Sequence, residues 1–221
     1  MRLNFVRKLT IMTLIITMSG LFGSAGPVLP ASPPGPPPAE ALQRLLEGNS
    51  RYVSGHPEHP NARPSAAPQH PIAVILTCSD ARVPPEIVFD QGIGDLFVVR
   101  VAGNTYDRML LETIAYGVEY GGARLVLVMG HDLCGAVTAA VKVYPDKHAG
   151  EMLQNIYPAV KDTADAKGDR ISAAISANAI LVAARLAAEP QLAPLVAEGK
   201  IKIAAARYDM TTGRVIILGG E

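Results

Sequence analysis

Two short segments of the sequence carry the side chains best suited to metal or thiol chemistry. Residues 78–82 place Cys78, Asp80 and Arg82 at alternating positions, and residues 131–134 begin with His131 and end with Cys134. The chain of 221 residues has 2 cysteines, and both lie in these segments. Zinc binds thiolate, imidazole and carboxylate groups in a tetrahedron. The two-residue gap between His131 and Cys134 suits two ligands of one ion.

The same two cysteines admit other interpretations. In an exported protein, Cys78 and Cys134 could form one disulfide, and closing so long a loop would stabilise the fold by about 4 kcal/mol. Composition and compartment alone favour that disulfide. A structural bridge, however, has no need of His131, Asp80 and Arg82 beside it, which favours a metal site. A catalytic free thiol would leave one of the two cysteines without a role.

Apolar runs precede both segments and predict buried β-strands at 72–76 and 124–130, with a further strand at 96–102. Helical periodicity is present at 108–122 and 135–144. This alternation predicts an α/β fold with a central, mainly parallel β-sheet flanked by helices, in a single domain. Ligand sites in such sheets lie beyond the carboxyl ends of the strands, so the two segments can converge if their strands are neighbours.

The remaining elements are predicted from composition and periodicity. A helix is expected over 39–53, where Gly48 and Asn49 should end or bend it. Two more helices are expected over 152–168 and 171–189, followed by strands over 200–210 and 214–220. Asp132 is expected only to cap the helix that follows Cys134.

The first 38 residues are expected to lie outside the folded domain. Residues 1–25 have the basic start, apolar run and small-residue end of a signal peptide, and residues 26–38 read as a proline-rich linker. The domain is then 39–221, and the mature protein is expected to be periplasmic or secreted and free of the membrane. Lysine plus arginine number 20, as do aspartate plus glutamate, so no basic field supports nucleic-acid binding.

Four stretches of this chain resemble the β-class carbonic anhydrases. They are LLEGNSRYVSG (45–55), ILTCSDARVPPEIVFDQGIGDLFVVRVAGN (75–104), LLETIAYGVEYGGARLVLVMGHDLCGAV (110–137) and YDMTTGRVIIL (208–218). The resemblance implies zinc on Cys78, His131 and Cys134, with Asp80 and Arg82 as the dyad beside it. It also implies a homodimer or homotetramer with the active site near the subunit interface. No cofactor other than Zn²⁺ is expected.

The resulting hypothesis is the reversible hydration of carbon dioxide to bicarbonate and a proton, by attack of zinc-bound hydroxide. Asp80 as a fourth ligand would close the site and inactivate it, and Arg82 would hold the Asp80 carboxylate off the metal in a bidentate pair. Two alternatives stay open from the sequence. One is a carbonyl sulfide or carbon disulfide hydrolase with the same fold. The other is a non-enzymatic secreted module cross-linked by a disulfide.

Overall fold

The computed structural model describes residues 32–59 and 68–219, which are built around one β-sheet. Its strands are β1 (Ala73–Thr77), β2 (Leu96–Arg100), β3 (Leu125–His131), β4 (Lys202–Tyr208) and β5 (Val215–Leu218). Their order across the sheet is β2-β1-β3-β4-β5. The first four strands run parallel, and β5 pairs with β4 in the antiparallel direction. The predicted α/β fold with a mainly parallel sheet is confirmed.

Helices cover both faces of this sheet. They are α1 (Pro38–Ser54), α2 (Pro85–Val88), α3 (Arg108–Glu119), α4 (Gly135–Val143), α5 (Glu151–Asp162), α6 (Arg170–Ala188) and α7 (Ala193–Ala197). Alternate residues of a strand point to opposite faces. Val74 and Leu76 therefore pack in the core under α3 and α6, whereas Ala73 and Ile75 pack in the core under α1 and α2. Burial on both faces explains why β1 and β3 are apolar without alternation.

Helix α6 packs against β3 and β4 as a core helix. Its 19 residues are long and apolar enough to cross a membrane by length and composition. One face is nevertheless buried in the domain, through Ala174, Ile175, Asn178, Ala179, Val182, Ala183 and Leu186. The side chain of Asp169 caps its first turn by accepting a hydrogen bond from the Ile171 N–H. The apolar composition of α6 is thus explained by burial against the sheet.

The prediction that Gly48 and Asn49 end or bend the first helix is wrong. Helix α1 continues to Ser54 and ends at Gly55, whose φ of 75° gives the left-handed cap. Gly48 is needed for close approach, since a Cβ there would lie 1.8 Å from the Phe89 carbonyl oxygen. Asn49 is buried, and it donates to the carbonyls of Val88 and Gly213. Both residues therefore join α1 to its neighbours rather than interrupt it.

Other differences from the predicted elements are confined to their ends and to short pieces. The strand predicted over 96–102 ends at Arg100, because the chain turns into a 3₁₀ helix, Ala102–Asn104, with Gly103 at a φ of 71°. The helix predicted over 108–122 ends at Glu119. Helices α2 and α7 were not predicted, since four or five residues are too few for a periodic pattern.

The predicted signal peptide, 1–25, lies outside the described residues and stays a prediction. The last part of the predicted linker, from Ser32 onward, lies against the turn between α3 and β3. There the N–H groups of Ser32 and Gly35 donate to the carbonyls of Tyr120 and Gly122, each at 2.8 Å. Helix α1 begins at residue 38, the last residue of the predicted linker. The chain is therefore fixed to the domain several residues before the first helix.

Candidate metal centre

The three predicted metal ligands meet at the carboxyl ends of two neighbouring strands. Cys78 follows β1, His131 is the last residue of β3, and Cys134 stands immediately before α4. The two strands are in register, with Thr77 opposite Met129, so both chains leave the sheet at the same edge. Strand β1 lies between β2 and β3, so the next strand in the chain, β2, is on one side of it and the strand after that, β3, is on the other. The cluster therefore lies at the point where the strand order reverses, the usual ligand position in such sheets.

The ligand atoms of these residues are close together and buried. The two sulfurs and an imidazole nitrogen all lie within 4.8 Å of one another. Cys78, His131 and Cys134 are 5%, 0% and 1% exposed, and both cysteines are free thiols. A tetrahedral zinc ion with bonds of about 2.0–2.3 Å needs ligand atoms roughly 3.5–3.8 Å apart. The cluster can accept such an ion with small movements of its side chains.

The imidazole of His131 is oriented for a ligand on Nε2. Its Nδ1 donates to the Asp132 carbonyl oxygen at 2.8 Å, and the Met210 sulfur lies 3.4 Å from the same nitrogen. Nε2 is buried and has no hydrogen-bond partner within the described ranges. A proton on Nδ1 leaves the Nε2 lone pair free, which is the form of histidine that binds metals. The unpartnered nitrogen, together with two soft thiol donors, fits zinc.

The contact between the two thiols shifts their pKa values in opposite directions. The hydrogen bond from Cys134 lowers the pKa of Cys78 far below its ordinary value, and the His131 side chain and the Gly103 N–H add to this effect. The same contact with Cys78 raises the pKa of Cys134 strongly, and burial raises it further. Burial would lower the pKa of His131, but its closeness to the Cys78 thiol and its contact with the Asp132 carbonyl raise it. A divalent cation would replace the proton that Cys134 keeps.

Asp80 and Arg82 form a bidentate ion pair beside the cluster. Arg82 Nε donates to Oδ1 of Asp80 at 2.9 Å, and Nη2 donates to Oδ2 at 2.8 Å. The Arg82 backbone N–H also donates to Oδ1 at 3.0 Å. These hydrogen bonds, chiefly the side-chain one, lower the pKa of Asp80, so the carboxylate stays ionised. Oδ2 lies 4.0 Å from Nε2 of His131, which places the carboxylate next to the three ligands.

Sequence reasoning missed several residues that hold the ligand loops. The Arg100 side chain donates to the backbone carbonyls of Cys78 and Asp80 and so fixes the loop after β1. Arg100 ends β2 directly opposite Thr77, so the argument from strand ends could have found it. The Gly103 N–H donates to the Cys78 sulfur at 3.4 Å. No local pattern in the sequence indicates that contact.

The prediction that Asp132 caps the following helix is wrong. Cys134 occupies the cap position of α4, and no side chain in the described part of the protein caps that helix. The Asp132 carboxylate instead forms an ion pair with Arg207 on β4, and its N–H donates to the Tyr208 carbonyl. Leu133, at a φ of 57° and 72% exposed, makes the sharp turn between His131 and Cys134. Asp132 therefore anchors the loop that presents two of the three ligands.

An open cavity of about 780 Å³ lies beside the cluster. Its wall includes Arg82 of the ion pair and Met210, which contacts the His131 ring. Other parts of the wall come from the loop between β3 and α4, from α4 and from α6, through residues such as Leu133, Thr138 and Ile175. A small molecule can therefore reach the neighbourhood of Asp80 and Arg82 from this side.

A sequence model described as "Carbonic anhydrase" matches residues 73–215, which include the whole cluster. The chain belongs to the β-class carbonic anhydrase family. Among its relatives, carbonic anhydrase 2 of Mycobacterium tuberculosis is 34% identical over 194 residues, covering 81% of this chain and 92% of that protein. The carbonic anhydrase of Mycolicibacterium smegmatis is 39% identical over 133 residues, covering 56% and 65% of the two chains.

Solved structures of β-carbonic anhydrases share the fold. A β-carbonic anhydrase from Sordaria macrospora, one of two described as tetrameric, superimposes with a TM-score of 0.63 at 21% identity. That match covers 82% of this carbonic anhydrase and 95% of the fungal chain. The Coccomyxa enzyme in complex with acetazolamide gives a TM-score of 0.59 at 24% identity, covering 81% and 82%. The family and the fold expected from the sequence are both confirmed.

Proposed function

We propose that this carbonic anhydrase catalyses the reversible hydration of carbon dioxide with a zinc ion held by Cys78, His131 and Cys134. One observation carries the proposal. Two buried thiols and an imidazole nitrogen lie within 4.8 Å of one another, and Nε2 of that imidazole, which has no hydrogen-bond partner among the described residues, lies 4.0 Å from the ionised Asp80. Family membership supports the same reaction. When bound, zinc acts as a Lewis acid that acidifies water, making a nucleophile available near neutral pH.

Asp80 is proposed to orient the nucleophile. Arg82 occupies both carboxylate oxygens from one side, which leaves Oδ2 able to accept one more hydrogen bond toward the ligand cluster. A water held there by Asp80 has its remaining lone pair directed away from the carboxylate, toward carbon dioxide. Carbon dioxide gains the oxygen with one of its hydrogens, the second proton of the water is released to solvent, and bicarbonate leaves through the cavity beside Arg82.

Arg82 is proposed to keep the site open. A free carboxylate at position 80 would be an attractive fourth ligand, and a site with four protein ligands has no place for a reacting water. Bidentate pairing with a guanidinium competes with that coordination, because both oxygens are already engaged. The pairing of Arg82 with Asp80 therefore keeps the fourth coordination position available. A site in which Asp80 filled that position would be inactive.

The decisive experiment combines zinc content with carbon dioxide hydration. We expect the purified protein to hold about one zinc per chain, measured by atomic emission, and to hydrate carbon dioxide in a stopped-flow pH assay. His131→Ala should lose both the metal and the activity. His148→Ala is the matched control, since His148 is exposed and lies outside the cluster. Full activity in a metal-free His131→Ala protein would contradict the proposal.

We also propose that the enzyme is exported and works as a homo-oligomer. Export rests on the signal-like residues 1–25, and oligomer formation rests on the family likeness, which includes a protein described as tetrameric. Cell fractionation and amino-terminal sequencing would test export, with a mature chain beginning at Gly26 expected outside the cytoplasm. Light scattering after gel filtration would measure the number of chains per particle.

A further inference from the structure

We infer that Asn178 is a positioning residue for the ligand Cys78, acting through the backbone of Gly103. The inference rests on the proposed function, because it concerns how the zinc site is tuned. Asn178 lies on α6 and contributes no atom to the ligand cluster. Its influence would pass through two consecutive hydrogen bonds to the Cys78 sulfur.

The first hydrogen bond joins α6 to the 3₁₀ turn after β2. Asn178 Nδ2 donates to the Gly103 carbonyl oxygen at 2.8 Å. The orientation of the amide is unambiguous, since a carbonyl can only accept and the nitrogen must therefore face it. The second bond runs from the Gly103 N–H to the Cys78 sulfur at 3.4 Å. Gly103 thus connects the carboxamide of Asn178 to the sulfur of Cys78.

Gly103 needs such a restraint because glycine is conformationally free. Its φ of 71° lies in the left-handed region, where a glycine can vary widely on both sides of its Cα. The turn is packed closely, and a Cβ at this position would lie 2.8 Å from Cδ1 of Ile156 and 3.2 Å from Cβ of Ala136. Packing limits movement of the turn, and the Asn178 hydrogen bond fixes its carbonyl. Together they hold the N–H toward the sulfur.

The setting of Asn178 indicates that its amide was not placed there for packing alone. The residue is fully buried, and its neighbours on the inner face of α6 are Ala174, Ile175, Ala179 and Val182. Its Oδ1 is buried without a hydrogen-bond partner in the described part of the chain. Burying an unpartnered polar atom costs free energy that an apolar side chain would avoid. The hydrogen bond to Gly103 is the compensating feature.

The consequence concerns how strongly Cys78 donates charge. An N–H group that points at a thiolate stabilises its negative charge, which reduces the charge that the sulfur shares with a bound metal. Contacts that hold metal ligands commonly change metal affinity by about 10–100-fold when they are removed. Loss of Asn178 should therefore alter the metal site without removing a ligand.

The test compares Asn178→Ala with Asn49→Ala in the cobalt- and zinc-loaded full chain. Asn49 is a matched control, since it is also a buried asparagine that holds backbone carbonyls, but it contacts none of the three ligands. In Asn178→Ala we expect the thiolate-to-cobalt charge-transfer band to move to longer wavelength. We also expect zinc affinity, measured by chelator competition, to fall about 10–100-fold, because the Cys78 sulfur is no longer held in position before the metal binds and this loss outweighs its stronger donation. Asn49→Ala should keep the wild-type band and affinity even if it unfolds more easily.

A measurement on the wild type covers the case in which Asn178→Ala does not fold. In the protein loaded with ¹¹³Cd, the Gly103 amide proton should show scalar coupling to the metal through the Cys78 sulfur. Its absence would overturn the inference, as would a folded Asn178→Ala protein with the wild-type band and affinity. If those results came from a protein that holds zinc and hydrates carbon dioxide, the proposed function would stand. A wild type that binds no metal would contradict both.

Discussion

Each ligand side chain of the metal centre is tied to a backbone group as well as to its fellow ligands. His131 donates to the Asp132 carbonyl, Cys78 accepts from the Gly103 N–H, and the N–H groups of Val137 and Ala136 partly offset the raised pKa of Cys134. Such contacts fix side-chain orientation before a metal arrives. The site therefore depends on main-chain geometry that the three ligand identities alone do not specify.

Asp80 is the residue whose substitution separates metal binding from catalysis. Asp80→Asn should keep about one zinc per chain, because the three ligands remain, but should lower kcat/KM by about 100-fold or more, since a neutral amide has one acceptor oxygen and cannot both pair with Arg82 and accept from the nucleophile. Zinc analysis beside stopped-flow kinetics measures both effects. Asp162→Asn, an exposed aspartate on α5, is the control. Wild-type kinetics in Asp80→Asn would rule out the orienting role.

At the scale of elements, α1 is joined to the loop after α2 by a contact that only glycine permits. Gly48→Ala would place a methyl group 1.8 Å from the Phe89 carbonyl oxygen, a backbone atom that cannot turn aside. We expect the free energy of unfolding to fall by about 3 kcal/mol, measured by urea denaturation. Gly150→Ala, where no atom lies within 4 Å of the new Cβ, should change it by less than about 0.5 kcal/mol.

Asp90 joins the end of α1 to the loop after α2, and its carboxylate makes the stability of the fold sensitive to acid. Burial alone would raise the pKa of this carboxyl, but Arg51 and the N–H groups of Glu58 and His59 outweigh burial and lower the pKa to about 2. A depressed pKa stabilises the fold above the unfolded value of about 4, and this contribution disappears as the pH falls from about 4 to 2.

The acid sensitivity can be measured directly. Over that pH range the wild type should lose about 2 kcal/mol more of unfolding free energy than Asp90→Asn, as seen in urea titrations. Asparagine tolerates the φ of 43° at this position, so the variant isolates the charge from the backbone. Parallel pH curves for the two proteins would show that Asp90 is not responsible.

The buried strands and the meeting of Cys78, His131 and Cys134 could be predicted from the sequence, because the strands and the two motifs leave local patterns. The five apolar residues at 72–76, two positions before Cys78, already indicate a parallel strand with a site at its end. Gly48 misled the prediction, since a helix-ending glycine and a close-contact glycine look alike until the Phe89 carbonyl is in place. The bond from Asn178 to Gly103 joins residues 75 positions apart, and nothing near either residue signals it.

For the whole molecule, bound zinc should act as a cross-link among β1, β3 and α4. A ligand that binds only the folded state adds stability that grows with its concentration, by about 4 kcal/mol at 1,000 times the dissociation constant. Stripping the metal with a chelator should therefore lower the melting temperature, and added zinc should restore it. His131→Ala should melt at one temperature with or without zinc. An unchanged melting temperature in stripped wild type would contradict this role.

The anchored segment Ser32–Gly35 lies at the end of the sheet opposite to the metal centre. It contacts the turn that precedes β3, whereas His131 ends that strand. Seven residues of strand separate the two by about 20 Å. Attaching the protein to a bead or an electrode at the Ser32–Gly35 segment would therefore leave the mouth of the cavity beside Arg82 facing the surrounding liquid.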